Sequence, residues 1–189
     1  MGHKPLTRKE IEALRAIDTP TICNALEVLD PKSRSQGYTL DPLVCAFPKL
    51  PPMVGYAKTA TMRAMRPARR DKRAEDKISG EYLDYVMSGT GPKIAVVQDL
   101  DGNQRGRGAL WGEVNTTMHK AMGCVGAVTN GSVRDLRMIA PEFQLLAGSI
   151  GAWARCGSGG SPTRSLRWTP ARGWARPFGC SATRSAGSC

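Results

Sequence analysis

The chain has 189 residues, which suffices for one domain with a hydrophobic core and is too short for two of ordinary size. No stretch approaches the roughly 18–20 apolar residues that span a bilayer, the start MGHKPLTRKE has no apolar export signal, and the six cysteines form no CxxC pair. Membrane insertion, export, structural zinc and a disulfide framework are therefore disfavoured, and we predict a cytoplasmic protein. The net charge of +11 falls to +5 for residues 1–150, which argues against nucleic acid as a partner of that part.

The N-terminal part predicts two helices followed by a strand. Thr7 and Glu10 have the spacing of a capping box before an apolar stripe. In DTPTICNALEVLD, Asp18 or Thr19 can cap a second helix that has Pro20 at its first position. VGYAKTATM alternates as a strand does. The segment 66–77, RPARRDKRAEDK, mixes both signs of charge, which favours a solvated loop or helix face over a phosphate-binding patch.

Strands and helices then alternate, which predicts an α/β domain. GEYLDYVM predicts a helical turn, PKIAVVQDLDG a buried strand, and GALWGEVNTTMHKAMG a loop leading into a helix that Gly123 ends. CVGAVT predicts a second buried strand, RDLRMIA a helix that ends before Pro141, and FQLLAG a third strand.

Several common site motifs are absent or poorly formed. GRGALWG has one residue too many between its glycines for a dinucleotide fingerprint, and no Gly-Lys-Ser/Thr of a phosphate-binding loop occurs. No serine or cysteine has the strand–elbow–helix context of an activated nucleophile. We predict that His119, on a polar helix face, is a surface residue rather than a catalytic base.

Two short motifs, WGE at 111–113 and RD at 134–135, follow predicted strands where open α/β folds build their sites. Main-chain N–H groups from Gly112 to Asn115 can bind a carboxylate, Arg134 can bind the same anion, and Asp135 suits Mg²⁺ or Mn²⁺. An alternative is a simple ion pair at a helix start, with Glu113 favoured there by the helix dipole. Both interpretations fit the spacing.

The segment GALWGEVNTTMHKAMGCVGAVTNGSVRDLRMI resembles the family that contains 4-hydroxy-4-methyl-2-oxoglutarate aldolases and the regulator of ribonuclease E activity A (RraA-like) proteins, formerly labelled dimethylmenaquinone methyltransferases. The resemblance extends over about residues 18–150. Its most specific feature is an acid, twenty residues, then Arg-Asp, here Glu113 and Arg134–Asp135. It implies a single swivelling β/β/α-type domain at 1–150 that forms a homotrimer or hexamer with sites between subunits.

The resemblance also implies a metal-dependent class II pyruvate aldolase with oxaloacetate decarboxylase activity. Gly112, Glu113, Val114 and Asn115 would bind the pyruvyl part of a small 2-oxo acid, together with Arg134. Asp135 would hold the divalent cation, Mg²⁺ or Mn²⁺, and Glu113 would position a water that carries a proton. The alternative that the same family offers is a non-catalytic inhibitor of a ribonuclease E-type activity, acting by protein–protein binding.

The sequence departs from the family pattern in three places. Asn130 and Asn24 stand where acids are common, and the segment 151–189 lacks the family's further strands. That segment has six arginines, no Asp, Glu or Lys, and three of the four tryptophans. This composition is more typical of a GC-rich reading frame translated out of register than of a nucleic-acid-binding arm. We predict an aberrant, irregular and disordered tail. In the family's aldolases the equivalent region of the neighbouring subunit contributes a glutamate to the site, and this tail lacks it.

Overall fold

A β-sheet forms the centre of the described part of the molecule. The structure, a computed structural model, describes residues 5–35, 39–65, 71–151, 165–167 and 178–180. Its sheet has the order β1-β5-β4-β3-β2-β6, and β7 also pairs with β2. The strands are β1 (Val44–Cys45), β2 (Met53–Arg63), β3 (Lys93–Asp99), β4 (Cys124–Val133), β5 (Gln144–Ile150), β6 (Ser165–Arg167) and β7 (Phe178–Cys180).

The four strands β2, β3, β4 and β5 are parallel, and two helices connect the first three of them. Helix α3 (Lys72–Met87) links β2 to β3, and α4 (Glu113–Ala121) links β3 to β4. Both helices bury side chains in one core with the strands. This core contains Ala95 and Val97 of β3, Val86 of α3, and Trp111 and Phe143 beside α4. The α/β prediction is confirmed, and the core side of the sheet is the side that the helices cover.

Lys93 ties the two helices to the sheet. This buried first residue of β3 donates hydrogen bonds of 3.0 Å from its Nζ to the main-chain oxygens of Met87 and Met122. These oxygens lie at the C-terminal ends of α3 and α4, where the helix dipole favours a cation. Nearby, Lys58 donates to Ser88 Oγ at 2.9 Å, and burial together with repulsion from Lys93 lowers the pKa of Lys58.

The two N-terminal helices have the caps that the sequence predicts. Thr7 and Glu10 form the capping box of α1 (Arg8–Arg15), and the Asp18 carboxylate accepts from the Thr21 N–H at the start of α2 (Thr19–Leu29). Neither helix has a fully buried residue. They therefore contribute little to the core. Among the described residues, a second and smaller apolar cluster contains Met53, Ile94, Val128 and Leu146.

Strand β4 continues past the predicted CVGAVT through the next four residues to Val133. Its pairing with β5 is irregular between Thr129 and Ser132. In this irregular part the Asn130 side chain accepts from the Asp99 N–H at 2.7 Å and donates to the Asp99 main-chain oxygen at 3.1 Å. An amide can do both, whereas a carboxylate could not donate. Asn130 therefore fastens the end of β3 to β4, in a place where an acid would repel the carbonyl.

One local expectation needs revision. RDLRMIA does not form a helix: only Leu136–Met138 make a 3₁₀ turn, and Ile139 is extended. In the segment 151–189, which is predicted to be irregular, residues 165–167 and 178–180 form the short strands β6 and β7 on β2. The other residues of this segment from 152 on, and residues 66–70 of the charged segment, lie outside the described residues. No helix in the described part of the chain is long and apolar enough to cross a membrane.

Candidate functional site

The predicted site residues meet at the C-terminal edge of the parallel sheet. After β3 ends, the loop 100–110 returns the chain to β4, where Trp111 forms a parallel bridge with Val133. The Arg134 N–H donates to the Trp111 main-chain oxygen at 2.8 Å, and the Gly151 N–H donates to that of Val133 at 3.0 Å. WGE, RD and the end of β5 are thereby held side by side.

The loop that leads to WGE is supported by a buried carboxylate. Asp99, 3% exposed at the end of β3, accepts hydrogen bonds from the main-chain N–H groups of Asp101 at 2.9 Å and Gly106 at 2.8 Å. The Ser132 hydroxyl of β4 donates to the Gly106 oxygen. Sequence reasoning did not single out Asp99, although an acid at the end of a buried strand is a signal for such a loop anchor.

Helix α4 begins directly at the site. Gly112 is its extended N-cap residue and Glu113 its first helical residue. The buried Thr116 hydroxyl donates to the Gly112 oxygen at 2.8 Å and accepts from the Ala140 N–H at 3.2 Å, which fixes the helix start against the loop before β5. The first N–H groups of any helix have no partner within it, so those of α4 are potential anion-binding donors, and Gly112 at this helix start lies close to Arg134 and Asp135.

Arg134 and Asp135 pack against the main chain of Gly112. A Cβ built on Gly112 would lie 2.6 Å from Asp135 Oδ2 and 3.1 Å from Arg134 Cγ. Arg134 Nε is 3.5 Å from Asp135 Oδ2, and this buried donor has no hydrogen bond. The two residues are thus close enough for electrostatic attraction but too far apart for a hydrogen bond of ordinary length. A simple structural ion pair would be expected to pair the buried Nε–H.

Asp135 has an unusual backbone conformation. Its φ of 56° and ψ of 39° lie in the left-handed region, where side chains other than those of Gly, Asn and Asp are strained. The next residues turn back at once, because the Met138 N–H donates to the Asp135 oxygen at 2.7 Å. This conformation ends β4 sharply and directs the chain along the edge of the site.

An open cavity of about 470 Å³ borders this pair. The remaining predicted residues have different surroundings: the Glu113 and Val114 side chains are exposed, and the Asn115 side chain donates to the Leu110 oxygen at 2.7 Å. Within the described ranges no three His, Cys, Asp or Glu side chains cluster as a metal site. The cavity is lined by Arg134, Asp135, Leu136, Arg137, Met138, Ile150 and Gly151.

His119 is buried, so the prediction of a surface residue is wrong. It is 2% exposed, its Nδ1 lies 2.7 Å from the Asn115 oxygen, and its Nε2 lies 2.7 Å from the Tyr82 hydroxyl. The carbonyl must receive a proton from Nδ1, so Nε2 accepts from the hydroxyl. Burial lowers the pKa of His119, and its ring stands edge-on to Trp111. The imidazole is a support of α4 rather than a part of the site.

Three solved structures resemble this fold at low sequence identity. One described as a novel cellulase from gut-associated microbes has a TM-score of 0.59 and 18% identity, covering 89% of this chain and 68% of that chain. An uncharacterised protein from Pseudomonas syringae pv. tomato has a TM-score of 0.52 and 19% identity, covering 79% of this chain and 62% of that chain. Streptomyces coelicolor RraAS2 is described as an unusual member of the RNase ES inhibitor RraA protein family. It has a TM-score of 0.48 and 20% identity, covering 80% of this chain and 67% of that chain.

The likeness to the first two structures shows a shared fold and says nothing of activity. This chain spans only about two thirds of the length of all three. No curated protein matches it. A family model described as RraA-like, Aldolase/RraA, matches residues 19–158, which include every predicted site residue. The chain therefore belongs to the RraA-like family.

Proposed function

We propose that this protein is a divalent-metal-dependent class II pyruvate aldolase that also decarboxylates oxaloacetate. Its substrates are 4-hydroxy-2-oxo acids of the 4-hydroxy-4-methyl-2-oxoglutarate type. The observation that carries the proposal is the buried Arg134 Nε, which makes no hydrogen bond although it lies 3.5 Å from Asp135 Oδ2, with both residues packed on a glycine at a helix start. A cation, a carboxylate and free N–H groups at one sheet edge suit a 2-oxo acid better than a structural ion pair.

In the proposed reaction the C3–C4 bond of the substrate breaks, the 4-hydroxyl proton leaves, and C3 of the pyruvyl fragment takes up a proton. The main-chain N–H groups from Gly112 to Asn115 bind the substrate carboxylate, and Arg134 binds the carboxylate and oxo region. As the bond breaks, negative charge grows on the oxo oxygen. A fixed guanidinium and helix-start dipoles stabilise such charge, an effect typically worth several kcal/mol.

The residues present fit a divalent cation. Asp135 lines the open cavity and its side chain is 36% exposed, so its carboxylate can reach a cation there. A single carboxylate is enough for Mg²⁺ or Mn²⁺, which keep several waters and share the substrate's oxygens. Asp135 would hold this cation, which supplies Lewis acidity toward the oxo group when bound. Glu113, exposed in the first turn of α4, positions a water that carries the proton.

We also propose that the protein works in the cytoplasm as a homotrimer or a hexamer whose sites lie between subunits. Apolar side chains with high exposure surround the site: Val114 is 73% exposed and Met138 55% exposed. Contact with a second copy would cover them and close the open side of the cavity. The RraA-like family supports this arrangement.

The first experiment measures pyruvate release from oxaloacetate by the purified chain, with Mg²⁺ and then with EDTA, after subtraction of a protein-free blank with the same metal. We expect EDTA-sensitive turnover that Asp135→Ala abolishes and Arg134→Ala reduces by about a hundredfold or more. Asp76→Ala, which removes an exposed carboxylate of α3, is the matched control and should retain the wild-type rate.

Wild-type rates in Asp135→Ala would remove the proposed metal ligand. Unchanged turnover in Arg134→Ala would contradict the carboxylate-binding role. If the wild-type chain releases no pyruvate above the blank, the proposal fails and the alternative of a non-catalytic ribonuclease regulator takes its place.

A further inference from the structure

A second arginine, Arg137, lines the same cavity as Arg134. The Met138 N–H bonds to the Asp135 oxygen, which turns the chain back and brings Arg137 to the rim three residues after Arg134. Its side chain is exposed, and the ion pairs of the described residues do not include it. By contrast, Arg105 is paired with Asp41 at 2.6 Å. Within the described part of the chain, Arg137 therefore has no ion-pair partner that would compete with a ligand.

The cavity lining carries more positive than negative charge. Two arginines face one carboxylate, and the other lining residues are apolar or glycine: Leu136, Met138, Ile150 and Gly151. A cation on Asp135 would raise the excess further. The volume of about 470 Å³ lies in the range of small-molecule pockets, about 300–1,000 Å³, and exceeds what a pyruvyl group alone requires. The lining thus suits a ligand with a second negative group beyond its pyruvyl end.

We infer that Arg137 determines specificity by binding the distal carboxylate of a dicarboxylic 2-oxo acid. This inference rests on the proposed function, in which Arg134 and the start of α4 take the pyruvyl end. Among the residues that line the cavity, only Arg137 is then left to pair with the second carboxylate. Guanidinium binds a carboxylate through two parallel hydrogen bonds, which a lysine ammonium cannot reproduce in geometry.

The test compares two substrates that differ only at the distal group. 4-Hydroxy-2-oxoglutarate carries a carboxylate there, and 4-hydroxy-2-oxopentanoate carries a methyl group; both release pyruvate. In Arg137→Ala we expect kcat/KM for the dicarboxylate to fall about tenfold or more, mostly through KM, with that for the monocarboxylate nearly unchanged. Arg137→Lys should recover part of the loss. Arg73→Ala on α3, with the same change of charge at an exposed position outside the cavity, should keep both values.

The outcomes separate this inference from the function on which it rests. An equal loss on both substrates, or no loss on the dicarboxylate, overturns the assignment of Arg137 and leaves the aldolase in place. If the wild-type protein releases pyruvate from neither substrate, both proposals fall. Because Arg137 is exposed, its variants should fold, and an unchanged melting temperature and circular dichroism spectrum check this for each protein.

Discussion

Gly112 sets the distance between the start of α4 and the Arg134–Asp135 pair. With no Cβ, it lets the Asp135 carboxylate and the Arg134 side chain lie directly on the main chain whose N–H groups are proposed to bind the substrate. The backbone of Gly112 itself is extended, with φ of −158°, so any residue could adopt it. The need for glycine at this position is therefore one of space and belongs to the site.

Gly112→Ala should separate activity from stability. The added Cβ would stand 2.6 Å from Asp135 Oδ2, so the carboxylate must move by several tenths of an ångström or more. Displacements of this order in a reacting geometry cost about a hundredfold, and we expect such a loss in kcat/KM for oxaloacetate.

Gly80→Ala on α3 is the control for this substitution. A Cβ at Gly80 meets nothing within 4 Å, and alanine in a helix is more stable than glycine by about 0.5–1 kcal/mol. The control should keep the wild-type kcat/KM and unfold at a slightly higher temperature. A Gly112→Ala protein with full activity would show that Asp135 does not need its present position.

At the scale of elements, α4 is held from behind by a buried chain of hydrogen bonds. Tyr82 of α3 donates to His119, and His119 donates to the Asn115 oxygen one turn earlier in α4. Thr116 joins the helix start to the loop before β5. These contacts orient the helix whose start lies against Arg134 and Asp135, so they act on the site through the position of α4.

The neutral state of His119 predicts a loss of stability in mild acid. Burial lowers the pKa of His119 below its ordinary value of 6.5, so the unfolded chain binds a proton at a higher pH than the folded chain. The stabilisation is complete above pH 6.5 and is lost as the pH falls through the folded-state pKa. Within that window the free energy of unfolding should decrease by up to about 1.4 kcal/mol per pH unit.

Urea denaturation at pH 7.5, 6.5 and 5.5 measures this effect in the wild type and in His119→Gln. The variant should be less stable than the wild type at every pH. Its free energy of unfolding should also fall less steeply between pH 6.5 and 5.5. Other titrating groups are common to both proteins, so the difference between the two curves isolates His119. Parallel curves would mean that His119 is not kept neutral by its surroundings.

The sequence predicts those elements whose signals are local. Thr7 and Asp18 cap helices through side chains three residues from their partners, and β3 follows from one apolar run. Burial of His119 was missed because its partner Tyr82 lies 37 residues away, on another helix. The turn at Leu136–Met138 was also missed because it depends on residues distant in sequence. Asp135 takes a left-handed conformation at the end of β4, where Arg134 is bonded to Trp111.

The candidate site was predicted in part for the same reason. Glu113, Arg134 and Asp135 stand in short motifs at strand ends, and topology brings such ends to one edge. Arg137 was overlooked because RDLRMIA predicts a helix. The sequence alone does not show which way Arg137 would point from such a helix, whereas the observed 3₁₀ turn places it at the cavity. The pair of Asp99 and Asn130 was overlooked because these residues lie 31 positions apart in the sequence, on two different strands.

At the scale of the whole molecule, apolar surface is unevenly distributed. Helix α2 has Val28 and Leu29 mostly exposed, Met138 is exposed on the rim of the cavity, and Val114 is exposed in the first turn of α4. Contiguous exposed apolar surface in a folded protein commonly marks an interface. Met138 concerns the proposed function most directly, because its burial by a second copy would also exclude water from the cavity in which Arg134 is proposed to bind the substrate.

Met138→Lys tests whether the rim is an interface between copies of the chain. A charge introduced at a buried contact is costly, so we expect the wild type to sediment as three or six chains and this variant to shift toward single chains. Met87→Lys introduces the same charge at the end of α3, at a residue 51% exposed against 55% for Met138, and should leave the assembly intact. A wild type that sediments as a single chain while releasing pyruvate at the full rate would contradict sites shared between subunits. In that case the open cavity of a single chain would bind the substrate without a second copy.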